Sequence, residues 1–156
     1  ALVPAHLAFN NKIWLDAALF KLATNKRPLK MPKNSFVKPF KADTALKGIT
    51  EIDTRDDETE YYIFGKQSSR WNRGYMTECP YFAHIDGDDL VGSMYFSTRD
   101  PFAAPLCVRG DSGAIVINKA SKLVGMVIGG CDNTGIALVT PINAILKGFN
   151  DLKLTL

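Results

Sequence analysis

Short apolar segments recur from Glu60 towards the C-terminus, and turn-forming residues separate each segment from the next. Runs of this kind, rich in β-branched and aromatic residues and bounded by Gly, Ser, Asn or Asp, are typical of antiparallel β-strands. The pattern predicts six strands, in YYIFGKQ, NRGYMTECPYF, LVGSMYFST, residues 113–118, residues 123–128 and TGIALVT. Six consecutive strands of this type favour a complete antiparallel β-barrel.

The second and third predicted strands are joined by the polar segment HIDGDD at residues 84–89. Asp86-Gly87-Asp88 is a strong signal for a hairpin turn between two apolar strands. The alternative is a divalent-ion site, because imidazole and carboxylate groups are ordinary metal ligands. We favour the hairpin.

The composition changes upstream of these strands. The twelve residues ITEIDTRDDETE, at 49–60, include six acidic side chains, which solvate well and are costly to bury. We interpret residues 43–60 as an exposed linker between a domain at 1–42 and a domain at 61–156. A calcium loop is the alternative, although the segment lacks the glycine and glutamate spacing of an EF-hand.

Candidate chemistry is concentrated around Ser112, in the segment RGDSGAIVIN. Glycines permit backbone conformations that other residues avoid, so the amides of Gly110 and Ser112 can point to one position beside the serine hydroxyl. Two amides in that arrangement form an oxyanion hole, which stabilises the negative charge that develops during acyl transfer. The segment therefore predicts a nucleophilic serine.

The segments GDSGAIVIN, LVGMVIGG and GIALVTPINAIL occur in this order, and on them the chain resembles the trypsin-like (chymotrypsin-fold) serine peptidases. GKQSSRWNRGYM is similar to the start of the second barrel in cysteine-poor members, so the chain lies nearer the microbial and viral enzymes. The resemblance implies an all-β fold of two antiparallel barrels with a C-terminal helix at 141–152. It also implies a serine endopeptidase that acts on peptides or proteins without a metal or cofactor.

The resemblance implies roles for His6 in ALVPAHLAF and Asp16 in WLDAALFKL. His6 would transfer the proton of Ser112, and Asp16 would orient the imidazole. An ordinary histidine near a chain end is the alternative for His6. The two residues are only ten positions apart, far closer than in most relatives, which predicts a shortened first barrel or residues missing near 9–13.

The N-terminal part is short of strands, because only residues 1–5, 12–23 and 35–40 have a strand pattern. A partial barrel exposes unpaired strand edges, so we expect a bound upstream segment to complete it. The shortened part also motivates two rival functions. One is a catalytically inactive protease-like domain that binds proteins, and the other is a structural protein derived from a protease that cleaves itself once.

In the family, the residue six positions before the serine lies at the base of the substrate pocket. Leu106 has that position here, or Cys107 if one inserted residue shifts the alignment. Both are uncharged, which favours apolar substrate side chains. Gly129, Gly130 and Gly135 would keep the pocket open.

Many relatives pair the aspartate before the serine with a freed N-terminus. Ala1 is too close to His6 to reach Asp111, so we expect an arginine, a lysine or an upstream segment as the partner of Asp111.

Cys107 and Cys131 lie near positions that the family joins by a disulfide. That pairing is expected in a secreted protein, whereas in a reducing compartment both cysteines, and Cys79, would be buried thiols.

Composition narrows the partners. A net charge of +3 spread over 156 residues gives no support for nucleic-acid binding. No apolar run approaches the roughly 20 residues that span a membrane. The compartment stays open between a secreted protein, a product of a larger precursor and a cytosolic protein.

Overall fold

The computed structural model of the chain describes residues 3–8, 14–19, 46–52, 58–68, 71–77, 82–85, 88–91, 94–100, 102–131 and 133–151. In chain order its elements are β1 (Val3–Ala8), β2 (Trp14–Leu19), β3 (Glu60–Phe64), β4 (Trp71–Met76), β5 (Phe82–Ile85), β6 (Asp88–Val91), β7 (Met94–Ser97), β8 (Ile115–Asn118), β9 (Leu123–Cys131), β10 (Ile136–Pro141) and α1 (Ile142–Asp151). Six strands close into an antiparallel barrel, in the neighbour order β10-β7-β4-β3-β8-β9. The predicted barrel is confirmed.

Strand β3 is buried on both faces, which explains its continuous apolar run. Tyr61 and Ile63 belong to the interior core, where the Tyr61 ring meets Phe96 edge-on with 5.0 Å between ring centroids. Tyr62 belongs to a second cluster on the opposite side, together with Trp71 and Ile117. The barrel is therefore packed inside and also covered along part of its outer surface.

Residues 46–52, within the linker predicted for 43–60, form part of that cover, because Leu46 packs against the second cluster. The Thr50 amide donates to the Leu123 carbonyl at 3.0 Å, and the Leu123 amide donates to the Gly48 carbonyl at 2.9 Å. Ile52 is buried in the barrel core. Residues 47–49 and 51 are nevertheless exposed, as in a linker, and the division into domains at 43–60 stays a prediction.

Strands β1 and β2 form a separate antiparallel pair, and β2 also contacts α1 and β6. The described residues contain one closed barrel together with this pair. The first barrel and the domain boundaries stay predictions, because residues 20–45, which include the predicted strand at 35–40, lie outside the described part of the chain.

Strands β5 and β6 form a second two-stranded sheet, with Ile85 opposite Asp88. Two residues connect these partners, which confirms the predicted hairpin at 84–89. Each of the two predicted strands beside the hairpin corresponds to two observed strands. NRGYMTECPYF extends from β4 into β5, and LVGSMYFST extends from β6 into β7. The apolar pattern runs through both segments, whereas the strand pairing changes partner within each.

Helix α1 follows β10 directly and confirms the C-terminal helix predicted at 141–152, as far as the described residues extend. Pro141 precedes it, and proline is well tolerated at a helix start because its missing N–H would have no helical partner. Ile142, Ile145 and Phe149 are buried on one face, and the helix contacts β9 and β10. No helix in the described part of the chain is long and apolar enough to cross a membrane.

Candidate active site

Ser112 lies in a tight loop that leads into β8. The Asp111 amide donates to the Val108 carbonyl at 2.9 Å, and the Ala114 amide donates to the Asp111 carbonyl at 3.0 Å. Gly110 and Gly113 have φ values of 98° and 87°, which residues with a Cβ atom rarely adopt. Both glycines are therefore required by the loop conformation.

The Asp111 side chain is buried and points away from solvent, with 1% of its surface exposed. Its Oδ1 atom accepts hydrogen bonds from the Gln67 amide at 2.7 Å and the Ser68 amide at 3.2 Å. Its Oδ2 atom accepts from the Val108 amide at 3.0 Å. These backbone amides occupy the position where we expected an arginine, a lysine or an upstream segment. The carboxylate joins the Ser112 loop to residues 65–68, which we call the Gly65 turn.

Gly65 is needed where this turn meets the loop. A Cβ atom at Gly65 would overlap the Asp111 carboxylate, so only glycine leaves room for the hydrogen bonds to Gln67 and Ser68. The sequence contained a signal for this contact in the glycine that follows YYIF. The sequence did not show that the contact partner of Gly65 is Asp111, which lies 46 positions later.

Two amides of the loop remain available at the surface. Within the described ranges, the backbone amides of Gly110 and Ser112 have no hydrogen-bond acceptor, whereas the Asp111 amide is bonded and the Gly113 amide donates to the Val127 carbonyl at 2.8 Å. Unbonded and bonded amides therefore alternate from Gly110 to Gly113, and the two unbonded amides lie beside the Ser112 side chain. An anionic oxygen is the group that such a pair can stabilise.

The Ser112 hydroxyl is exposed and donates to the Ile128 carbonyl at 3.3 Å. It borders a cleft of about 430 Å³, which has one wall formed by the end of β3 and the Gly65 turn. We call this the Lys66 cleft, and its described lining residues are Phe64, Lys66, Gly110, Asp111, Ser112, Gly113, Ala114 and Ile115. Sequence reasoning did not place Phe64 or Lys66 near the serine.

The predicted pocket residues divide into two groups. Leu106 is a core residue that packs against Gly74, and its amide donates to the Gly135 carbonyl at 3.3 Å. The Cys107 sulfur donates to the Gly129 carbonyl at 3.6 Å, and a Cβ at Gly130 would overlap it. The structure thus brings Cys107, Gly129 and Gly130 together, and it buries Leu106 and Cys107 alike in the barrel core.

His6 and Asp16 lie directly opposite each other in the β1–β2 pair. Opposite residues of an antiparallel pair have Cα atoms about 4.5–5.5 Å apart and share one face of the sheet. A separation of ten positions is therefore compatible with a histidine–aspartate pair. The position of the two side chains relative to Ser112 lies outside what the structure describes and stays a prediction.

No disulfide joins Cys107 and Cys131 in this structure. Cys107 is buried, as expected for a reduced protein, whereas Cys131 is exposed at the end of β9. Cys79 lies outside the described residues. Among the side chains that are described, no group of three or more His, Cys, Asp or Glu residues is placed to hold a metal ion.

A separate polar cluster surrounds Glu60, at the end of β3 away from Ser112. The Glu60 carboxylate accepts hydrogen bonds from the Tyr62 hydroxyl at 2.7 Å and Tyr75 hydroxyl at 3.3 Å, and it pairs with Arg73 at 3.1 Å. The Tyr62 hydrogen bond, helped by the nearby Lys119 and Arg73 charges, lowers the pKa of Glu60 although burial opposes this. Burial and the same hydrogen bond raise the pKa of Tyr62. The cluster ties β3 to β4.

No protein-family model matches the chain, and no curated protein matches it. Solved structures do match. Thermobifida fusca protease A is 21% identical with a TM-score of 0.55, over 68% of this chain and 52% of that one. Cellulomonas bogoriensis chymotrypsin is 19% identical with a TM-score of 0.54, over 68% and 53%. Nocardiopsis protease is 17% identical with a TM-score of 0.51, over 65% and 51%.

These structures confirm the resemblance at the level of the fold. The six-stranded barrel and its C-terminal helix have the chymotrypsin fold, as in microbial serine proteases. The chain spans about half the length of the structures that it matches. At these identities the similarity establishes the fold alone. Any reaction that the protein catalyses depends on the residues around Ser112.

Proposed function

We propose that the chain is the catalytic part of a chymotrypsin-fold serine endopeptidase. The observation that carries this proposal is an exposed Ser112 hydroxyl beside the Gly110 and Ser112 amides, which have no acceptor within the described residues. The buried Asp111 carboxylate fixes that loop through three amide hydrogen bonds. A preorganised oxyanion site needs this rigidity, since its donors must not reorient during the reaction.

In the proposed mechanism the Ser112 oxygen adds to the carbonyl carbon of the peptide bond while His6 accepts the hydroxyl proton. The resulting oxyanion is held by the Gly110 and Ser112 amides. Collapse of this intermediate breaks the C–N bond, and His6 returns the proton to the departing amine. Water then attacks the acyl-enzyme by the same route and releases the carboxylic acid product.

The β1–β2 register supports the roles of His6 and Asp16 in this scheme. Opposite positions bring the two backbones close, so Asp16 can accept a hydrogen bond from the imidazole and stabilise the imidazolium. An upstream segment completing the first barrel remains part of the proposal, because the matched structures are about twice as long as the aligned part.

The substrate side chain before the scissile bond would lie beside Cys107 and the Gly129–Gly130 backbone. The Cys107 sulfur contacts both glycines, and none of these three residues carries a charge. We propose a preference for apolar side chains there, since Cys107, Gly129 and Gly130 offer no charge to compensate a buried one.

Covalent labelling with a fluorophosphonate probe tests the proposal. The probe reacts with serines that are activated by an adjacent base, and mass spectrometry identifies the modified residue in the full chain. We expect modification of Ser112 in the wild type and none in Ser112→Ala. His6→Ala should lose modification, whereas His84→Ala should retain it, and this pair is a matched control because the chain has only two histidines.

The same experiment separates the rival function. An inactive protease-like domain that binds proteins would fold normally, with native circular dichroism and cooperative unfolding, and would leave Ser112 unmodified. If Ser112 is still modified in His6→Ala, Ser112 is the nucleophile but His6 is not the base that activates it.

A further inference from the structure

Residues 46–52 run beside the β8–β9 hairpin as an extended segment with one open edge. Ile49 lies opposite Leu123 in a parallel bridge, whose two hydrogen bonds join the Gly48 carbonyl and the Thr50 amide to Leu123. In this geometry the N–H and C=O of Ile49 itself point away from β9. Among the described contacts, neither group has a hydrogen-bond partner. We call this unpaired side of the segment the Ile49 edge.

The barrel holds this edge in place. The Lys47 amide donates to the Ser121 carbonyl at 2.9 Å. The Asn143 side chain on α1 donates to the Glu51 carboxylate at 2.7 Å, which fixes that acidic group beside the helix. A segment that is ordered before binding loses less conformational entropy when a partner pairs with it. The Ile49 edge can therefore accept another extended chain, which is how an unpaired strand edge recruits a partner.

Three exposed lysines surround the Ile49 edge. The backbone hydrogen bond of Lys47 places it beside the β8–β9 turn, which carries Lys119 and Lys122. In the part of the chain that the structure describes, Lys47 and Lys122 take part in no ion pair. Lys119 lies 3.6 Å from the Glu60 carboxylate, which also pairs with Arg73. The turn therefore has an excess of positive charge and attracts anionic groups.

The Ile49 side chain adds an apolar contact, because 47% of its surface is exposed. Backbone pairing along a strand edge supplies affinity for an extended peptide, and side chains on the same face supply specificity. A nucleic acid or a lipid surface would use the lysines but not the unpaired N–H and C=O. We propose that the Ile49 edge binds an extended, acidic segment of a partner protein, with an apolar residue opposite Ile49 and a carboxylate beside Lys47. The edge adjoins the end of β8 away from Ser112, so this binding is independent of the proposed peptidase chemistry.

Titration of the isotope-labelled chain with the blocked peptide Glu-Thr-Val-Thr-Glu, followed by NMR, tests the proposal. The backbone amide of Ile49 should shift in a saturable manner, and its hydrogen exchange with solvent should slow because it donates to the peptide. The same peptide with Gln in place of Glu should bind about threefold to fivefold more weakly, as expected for exposed ion pairs. The difference between the two peptides should shrink at high salt.

Lys47→Gln should weaken binding of the Glu peptide by a similar factor and leave binding of the Gln peptide unchanged. Arg109→Gln is the matched control, because Arg109 is an exposed cation in the Ser112 loop, at the opposite end of β8. This variant should bind both peptides as the wild type does. The NMR spectrum of each variant also shows whether it is folded.

The proposal is rejected if the Ile49 amide shows no saturable shift, or if the Glu and Gln peptides bind equally well. A short DNA duplex and anionic lipid vesicles are the competing ligands. Either one could bind more tightly than the Glu peptide, lose affinity in Lys47→Gln and leave the exchange of the Ile49 amide unchanged. In that case the surface recognises charge alone, and strand addition is overturned.

Discussion

The Asp111 carboxylate accepts a 2.7 Å hydrogen bond from the backbone amide of Gln67, 44 positions earlier in the chain. With the bonds from Ser68 and Val108, it links the Gly65 turn to the loop that carries Ser112. The aspartate next to Ser112 is therefore supported by backbone amides, which are always present in the folded chain. The described contacts require no freed N-terminus to place this loop.

Asp111→Asn should damage both stability and reactivity. An amide side chain offers one acceptor oxygen and presents NH2 to at least one backbone donor, which leaves buried groups unpaired. We expect a loss of about 2–3 kcal/mol in the free energy of unfolding, measured by urea denaturation. The rate of fluorophosphonate labelling should fall under conditions where the variant is fully folded. Asp100→Asn is the control, because this exposed aspartate caps only the Phe102 amide, and it should cost less than 1 kcal/mol or so.

Gly65→Ala should be destabilising specifically because of Asp111. The added Cβ overlaps the carboxylate, so the turn or the loop must move. In an Asp111→Ala background the same substitution meets no carboxylate and should cost clearly less, giving a coupling energy of about 1–2 kcal/mol in a double-mutant cycle. Additive effects of the two substitutions would show that the overlap is not what makes Gly65 necessary.

Gly110→Ala tests the oxyanion site. A φ of 98° is strained for alanine, and relaxation of that strain would rotate the Gly110 amide. We expect a loss of about 1–3 kcal/mol in stability and a fall in kcat of roughly 10²-fold or more. Gly48→Ala is the matched control, since Gly48 has a φ of 118° in the segment 46–52 and open space around it. It should lose similar stability and retain its activity.

Tyr62→Phe should make stability less dependent on pH. Because the Tyr62 hydrogen bond lowers the pKa of Glu60 in the folded state, it adds stability above the unfolded pKa of about 4.3, and that stability is lost as pH falls through the folded pKa. The variant should lose about 1–2 kcal/mol at pH 7 and much less at pH 3. Urea denaturation at both pH values measures this, and an equal loss at each would contradict it.

The two described cysteines should differ in reactivity. Cys131 is exposed and Cys107 is buried, with no disulfide between them. Iodoacetamide should modify Cys131 in the native protein and Cys107 only after unfolding, as read by mass spectrometry. Protection of both thiols that is released only by a reductant would indicate a bridge instead.

The barrel strands, the hairpin at 84–89 and the C-terminal helix could be predicted from the sequence, because each depends on apolar periodicity or turn residues within a short window. The conformation of the Ser112 loop also depends on a short window. Its two glycines, and the bonded and unbonded amides that alternate between them, lie within four positions. Strand pairing is not local, which is why β4 ends at Met76 and β7 begins only at Met94, inside segments whose apolar pattern predicts longer strands.

Contacts between distant segments were decided only by the tertiary structure. The sequence identified Asp111 as a group that needs a partner but did not show that the Gly65 turn supplies it. The position of Leu106 relative to Ser112 predicted a place at the base of a pocket, and the sequence could not show that Leu106 packs against Gly74 in the barrel core. Local propensity limits which conformations a segment can adopt, and burial of apolar surface together with pairing of buried polar groups selects the partners across the fold.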